Sequence, residues 1–440
     1  MLPQGGLAAM RLVSLVFCVA ALAAGVAFPI VVAASGSQFW SPVRVLLYGV
    51  APVMVGAVSL FAIWYGDSAR KQLLAYGLAV GIAFVGADIY LDHRIRSTPW
   101  PAASIRVLSY PELRREGIRA FPHVCGVHFD LRSPALRIGG VPVQPVTGLS
   151  RNLITFYERD RAAWRFTDEH GFNNPAGQWD TPAALVLGDS FAFGAEVPVG
   201  KGFVDRLRER IGRTVNLGCS GNGPLLELAA LAEYGPIVRP PVVVWAYYEG
   251  NDLSGDLPNE MQSPILPRYL TAGFTQDLFR KAPELEPAII AFLLDAETKA
   301  ASMRGGKLNM AALPSLNLDH LTLANLRRAL GISHRYRTET LSQFGAVLKR
   351  AKAIAAEWGG EVVFVYLPDE GRYSGPLGAW DAAAYGRPVL ELVEAVGIRV
   401  IDVAAVFARR PQPRSLFQSH YTEEGYRLVG DIIADELARR

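Results

Sequence analysis

Four short stretches of this 440-residue sequence carry groups suited to nucleophilic chemistry. Gly188-Asp189-Ser190-Phe191 ends a short apolar run and offers a serine hydroxyl. A second run ends in Gly218-Cys219-Ser220-Gly221-Asn222-Gly223, where glycines let backbone N–H groups approach a ligand closely. A third ends in Glu249-Gly250-Asn251-Asp252, where the Asn251 amide can donate to an anion. Ser419-His420-Tyr421 supplies an imidazole. Each alone has an ordinary explanation: a turn, a loop, an Asx cap, a structural histidine. Together they are a nucleophile, a backbone donor, a side-chain donor and a base, the parts that acyl transfer needs.

The surrounding elements would bring the four to one place. Apolar runs at 184–187, 215–217, 242–247, 362–367 and 399–403 read as strands. Helical spacing follows at 202–211, 224–234, 336–358, 380–396 and 422–437. Pro224 suits a first helical position, and Gly359-Gly360 a helix stop. Apolar strands alternating with helices imply a parallel, doubly wound α/β sheet covered on both faces. Ligands in such sheets bind at the carboxyl ends of the strands, where all four stretches fall. The spacing is regular: 31 residues from Ser190 to Gly221 and 30 on to Asn251, about one strand–helix unit per step. The domain so defined covers 182–440. A long insertion at 253–335 interrupts it and reads as a folded lid or specificity element. Before it, 93–181 is rich in Pro and Gly with short β-like pieces at 135–138 and 153–157.

Residues 1–92 form a different kind of domain. Half of the chain is hydrophobic and only 19% is charged, below the roughly 25% of soluble domains. Apolar runs at 12–34, 45–65 and 73–91 are each about as long as a transmembrane helix requires, so a lipid bilayer is an expected partner. The first is too long for a signal-peptide core of about 7–15 residues. Arg11, Arg70 and Lys71 favour a cytoplasmic N-terminus and an extracytoplasmic chain after the third span, although Arg44, Arg94 and Arg96 oppose this. The expected location is a plasma (inner) membrane, with the catalytic domain on the periplasmic side. The net charge of +3 and the lack of a basic tract argue against nucleic acid. Among three cysteines there is no Cys-x-x-Cys pair, so no metal site is expected. Cys125 and Cys219 either pair in an oxidising compartment or remain buried thiols.

From about residue 183 the chain resembles the SGNH (GDSL-like) hydrolases, a family named for Ser, Gly, Asn and His in four blocks. These fall here on Ser190, Gly221, Asn251 and His420. The resemblance implies a flavodoxin-like fold and cofactor-free acyl chemistry. Ser190 would attack an acyl carbon, His420 would take its proton, and the N–H groups of Ser190 and Gly221 with the Asn251 amide would hold the oxyanion. Two positions depart from the pattern. Glu249 replaces a glycine of the third block. Phe417 stands three residues before His420, where the family carries an aspartate that orients the imidazole. A backbone carbonyl, a remote acid such as Asp402 or Glu423, or an impaired enzyme are the alternatives; a Ser190–His420 dyad held by a carbonyl is the expectation. The functional expectation is an extracytoplasmic esterase acting on an acylated small molecule, glycan or cell-envelope polymer. A polysaccharide O-acyltransferase shares the same serine chemistry. A catalytically weak glycan-binding or assembly protein is the alternative of another class. Oligomeric state, acyl group and acceptor stay open.

Overall fold

The structure is a computed structural model and describes residues 4–34, 45–97, 110–158, 161–304, 323–332 and 336–439. The expected connecting segment and insertion therefore lie partly outside the described residues, at 98–109, 159–160, 305–322 and 333–335.

Nine strands are described. Two hairpins come first, β1 (Arg137–Ile138) with β2 (Val141–Pro142), and β3 (Leu153–Glu158) with β4 (Arg161–Phe166). The five-stranded sheet follows: β5 (Ala184–Gly188), β6 (Thr214–Asn216), β7 (Val242–Tyr248), β8 (Glu361–Leu367) and β9 (Arg399–Asp402). All its pairings are parallel, in the order β6-β5-β7-β8-β9. Counting sheet strands only, that order is 2-1-3-4-5, the flavodoxin-like arrangement with a switch point beside β5. The all-apolar β5 is buried along its whole length, and β7 and β8 are buried apart from one end residue each. Burial on both faces is why these strands read as continuous apolar runs without alternation. The helix Pro224–Val238 is apolar nearly all round because it too is enclosed.

The chain forms two compact units. One holds 100–312, 339–370 and 388–440, and contains the sheet. The other holds 1–99 together with 313–338 and 371–387. Its three helices are long and apolar enough to cross a membrane, over Ala9–Ile30, Val45–Tyr65 and Asp67–Leu91. The first two cross closely at Gly25, where a Cβ would lie 2.4 Å from the Pro52 carbonyl oxygen and 2.8 Å from the Gly56 Cα. Small residues at such crossings are what let apolar helices pack when lipid offers no hydrophobic driving force. At one end of the bundle Asp67 gathers the basic residues, with Arg11 at 2.8 Å, Lys71 at 3.0 Å and Arg70 at 3.2 Å.

Candidate active site

The nucleophile position is built by β5 and the turn that follows it. Gly188 has φ +153°, and a Cβ there would lie 2.7 Å from Ala192 Cβ and 3.1 Å from the Ala246 carbonyl oxygen, so only glycine fits. Asp189 then caps the short helix Ser190–Phe193 by accepting the Phe191 N–H at 2.9 Å. Burial pushes the Asp189 carboxyl above its ordinary range, against the opposing pull of the Phe191 N–H, His420 and Asn251. Ser190 is left at the carboxyl edge of the sheet with its Oγ 2.8 Å from His420 Nε2. A hydroxyl and an imidazole nitrogen at that distance have the geometry that a nucleophile and a general base require.

The opposite side of the imidazole overturns the expected dyad. His420 Nδ1 lies 3.1 Å from Glu196 Oε1, an ion-pair approach in which the ring N–H is not squarely aligned on the oxygen. The ring partner is therefore a carboxylate, not a backbone carbonyl. Glu196 also accepts the Ser419 hydroxyl, at 2.6 and 2.5 Å to its two oxygens, and the His420 N–H at 3.4 Å. Its own carbonyl accepts the Gln418 side chain at 2.9 Å. Burial alone would raise the Glu196 carboxyl. Hydrogen bonds from His420 and Ser419, with the charge of His420, outweigh that and hold it below its ordinary range. Both ends of this contact occupy left-handed backbone, φ +62° at Glu196 and +115° at Ser419, conformations that non-glycine residues keep only where their surroundings fix them.

Phe417, at the position of the absent aspartate, is buried edge-on against Phe407 and Tyr421 and belongs to the core. Asp402 caps the helix Val403–Phe407 through the Ala405 N–H at 3.0 Å. Glu423 opens the helix Glu423–Ala438, a position that suits an acid beside the helix dipole. Glu196 was missed because it follows the nucleophile by six residues instead of preceding the histidine by three. The one local signal was an acid in the Gly-rich stretch after the nucleophile block.

Asn251 and Gly221 follow the strands on either side of β5, at the same carboxyl edge as Ser190. The Asn251 amide donates to Asp189 Oδ2 at 3.5 Å, the oxygen that also lies 3.5 Å from Ser190 Oγ. Asp252 holds the Asn251 turn by accepting the Tyr248 N–H at 2.9 Å. The unexpected Glu249 braces the ends of β7 and β8. It accepts the Tyr366 hydroxyl at 2.5 Å and the Asp369 N–H at 2.7 Å. Gly221 has φ +81°, and a Cβ there would sit 2.9 Å from Val127 Cγ1. Its loop is tied to the nucleophile strand by the Cys219 N–H, which donates to the Gly188 carbonyl at 3.1 Å.

The segment before the sheet is built into this site. Cys125 and Cys219 form a disulfide, and Asn222 donates to the Val146 carbonyl at 2.9 Å and accepts the Val127 N–H at 3.4 Å. His123 stacks on Phe193 of the nucleophile helix, and Asn173 donates to the Phe193 carbonyl at 2.6 Å. Burial, with the nearby charges of His128 and Arg165, pushes the His123 imidazole down to about 3. His123, Cys125 and Cys219 bring three metal-ligating atoms within 4.8 Å of one another. Both sulfurs are committed to the disulfide, so this is a packed imidazole and not a ligand set. Below Asn251 lies a group of buried acids. Burial first, then neighbouring carboxylates, drives Glu227 and Asp252 well above their ordinary ranges and Asp256 to about 7. Glu260 is pushed to about 8, although it caps the helix Pro224–Val238 through Gly223 and Leu225.

The 2-1-3-4-5 sheet order matches the fold implied by the resemblance, and the structure brings Ser190 into contact with His420 and Asn251 into contact with Asp189. The chain is SGNH-like in fold. No family model and no curated protein matches it. Similar solved structures include the lipase/acylhydrolase from Enterococcus faecalis, at 16% identity and a TM-score of 0.32, over 58% of this chain and 94% of that one. A putative lipolytic protein of the G-D-S-L family from Desulfitobacterium hafniense is 13% identical with a TM-score of 0.31, over 57% and 97% of the two chains. An acetyl xylan esterase is 12% identical with a TM-score of 0.31, over 58% and 98%.

Proposed function

We propose that the SGNH-like chain is a membrane-anchored serine esterase that cleaves acyl esters of a glycan or cell-envelope substrate outside the cytoplasm. The carrying observation is Ser190 Oγ at 2.8 Å from His420 Nε2. Ser190 Oγ attacks the acyl carbon while its proton passes to His420 Nε2. The Glu196 carboxylate balances the imidazolium that results. The Ser190 and Gly221 N–H groups and the Asn251 amide receive the oxyanion. The intermediate collapses as His420 returns the proton to the departing alcohol, leaving an acyl-serine. Water, activated by the same imidazole, releases the acid and restores Ser190. A sugar hydroxyl in place of water would make the same site an O-acyltransferase. The weak-enzyme alternative rested on a missing acid, and Glu196 supplies one.

Two observations support the extracytoplasmic side. Arg11, Arg70 and Lys71 meet at one end of the membrane helices, the end the positive-inside rule assigns to the cytoplasm. The Cys125–Cys219 disulfide suits an oxidising compartment. Support for an acylated glycan is the location alone.

A fluorophosphonate probe on the purified protein, followed by acyl-ester substrates with and without a sugar acceptor, tests this. Wild type should be labelled at Ser190 and release free acid. Labelling that persists in Ser190→Ala would remove the proposed nucleophile. Acyl transfer to the sugar without hydrolysis would establish the transferase. A C-terminal reporter active only in the cytoplasm would reverse the topology.

A further inference from the structure

Asp88 is the starting point. It lies in the third membrane helix (Asp67–Ser97), three residues before the end of the apolar stretch at Leu91, and is fully buried. Three residues of helix place it about 4.5 Å inside that boundary. An ionisable side chain at membrane depth is expensive unless paired. Here the partner is a distant piece of the chain. Asp88 Oδ1 accepts the Leu326 N–H at 2.8 Å, and Oδ2 accepts the Asn325 amide at 3.2 Å. Both belong to the first turn of the short helix Ala324–Ala329. One otherwise unmet backbone N–H of that turn and one side-chain amide are satisfied by a carboxylate that itself needs donors. The helix is thereby held at the depth of Asp88, at the margin of the bilayer.

A second piece joins it. Gly331 ends the short helix with φ +75°, and the Ile332 N–H donates back to the Arg327 carbonyl at 2.8 Å. A Cβ on Gly331 would fall 2.8 Å from Gly378 Cα, so the turn at 331 lies directly on the start of the helix Pro376–Val396. The Tyr336 hydroxyl donates to the Tyr385 carbonyl and fixes the pair again. The two pieces carry Leu330, 41% exposed, with the exposed Arg328 just before it, and Trp380, 53% exposed. A large exposed aliphatic, an exposed tryptophan and an exposed arginine on pieces tied to the end of a spanning helix are the composition of a membrane–water interface. Tryptophan concentrates at headgroup level, and arginine reaches lipid phosphates while its stem stays in apolar surroundings.

We propose that residues 324–332 and 371–387 form an interfacial collar seated in the headgroup layer of the leaflet where the third membrane helix ends. Leu330 and Trp380 dip toward the acyl chains and Arg328 meets headgroup phosphates. The occupant of this surface is the bilayer itself, because the short helix is hydrogen-bonded to Asp88 only three residues from the end of the third apolar span. This rests on the membrane reading of residues 9–91 and is independent of which side the leaflet faces and of the reaction.

The test uses the full chain in phospholipid nanodiscs containing one-third anionic lipid. Nitroxides are placed singly at Leu330→Cys, Trp380→Cys, Val53→Cys and Val199→Cys in a Cys18→Ala background. Val53 is 54% exposed on the second membrane helix, and Val199 is 57% exposed in the sheet-containing unit. Positions 330 and 380 should be relaxed more by oxygen than by a water-soluble nickel chelate, as at 53, with the reverse at 199. Brominated lipids should also quench wild-type tryptophan fluorescence more than that of Trp380→Phe, a conservative change that checks the result without labels. Water-like relaxation at 330 and 380 with lipid-like relaxation at 53, or equal quenching in the two proteins, overturns the collar and leaves the spans standing. Water-like relaxation at 53 overturns both.

Discussion

Glu196 reaches His420 Nδ1 at 3.1 Å from a position six residues beyond Ser190. The imidazole thus lies between Ser190 and Glu196, both supplied by the same turn after β5, while the histidine loop carries no acid of its own. Glu196→Gln should therefore lower kcat on an activated acyl ester by about 10²–10⁴, the upper figure being the loss on neutralising the triad aspartate of a serine protease. Asp402→Asn and Glu423→Gln should each change it less than about tenfold, since neither carboxylate is placed at the imidazole. An unaffected Glu196→Gln enzyme would return the site to a dyad.

Ser190→Ala and His420→Ala should each lower turnover by at least about 10³, and the double variant should be little worse than either alone, because the two act as one unit. Multiplicative losses in the double variant would show that they act separately.

Asn251→Ala should cost about 10²–10³ in kcat with little change in KM, as expected for a donor to an oxyanion that exists only along the reaction path. A rise in KM with kcat intact would assign the amide to substrate binding.

The disulfide closes a loop with a sequence separation of 94. Chain-entropy arguments attach about 4–5 kcal/mol to a loop of that size as an upper value. Cys125→Ser with Cys219→Ser should lower the Tm. At a temperature where the variant remains folded, kcat should fall while KM holds, because the Gly221 loop has lost its covalent tie to the segment carrying Val127. Unchanged kcat in the folded double variant would make the bridge purely a stability element.

The buried acids give stability a sign with pH. Asp256 and Glu260 titrate at about 7 and about 8 in the folded chain, above the ordinary carboxylate range. The unfolded chain therefore releases these protons first, so stability is greatest below about pH 4 for these groups and falls as pH rises toward about 8. Glu196, held low, contributes in the opposite direction and only where acid begins to protonate it. Asp256→Asn should flatten the decline of Tm between about pH 5 and 8; an unchanged slope would place the titration elsewhere.

Much of this was legible in the sequence because strands such as β5 and β7 are buried on both faces and stand out as apolar runs. The candidate residues follow those runs directly, so Ser190, Gly221 and Asn251 could be placed at the carboxyl ends of neighbouring strands. Glu196 was hidden because its role depends on a left-handed bend that folds it back over the Ser419 loop, which no spacing rule encodes. Pairing of Cys125 with Cys219 was equally a matter of distance in space. The hairpin partner β4, with Arg161 and Arg165 among its residues, lacks the apolar alternation that would mark a strand. The attachment of 324–332 to Asp88 joins positions more than two hundred residues apart by two hydrogen bonds, with no periodicity to announce it.

Nucleophile and acid lie on one short stretch, while the base is separated from the nucleophile by 230 positions along the chain. During synthesis the membrane helices emerge first, then Ser190 with Glu196, and His420 only after β9. A nascent chain held at any earlier length has a serine that nothing deprotonates. Under the proposed function, the order of translation would delay reactivity until the polypeptide is already fastened to the bilayer, and a ribosome stalled before residue 420 would leave an inert product in the membrane.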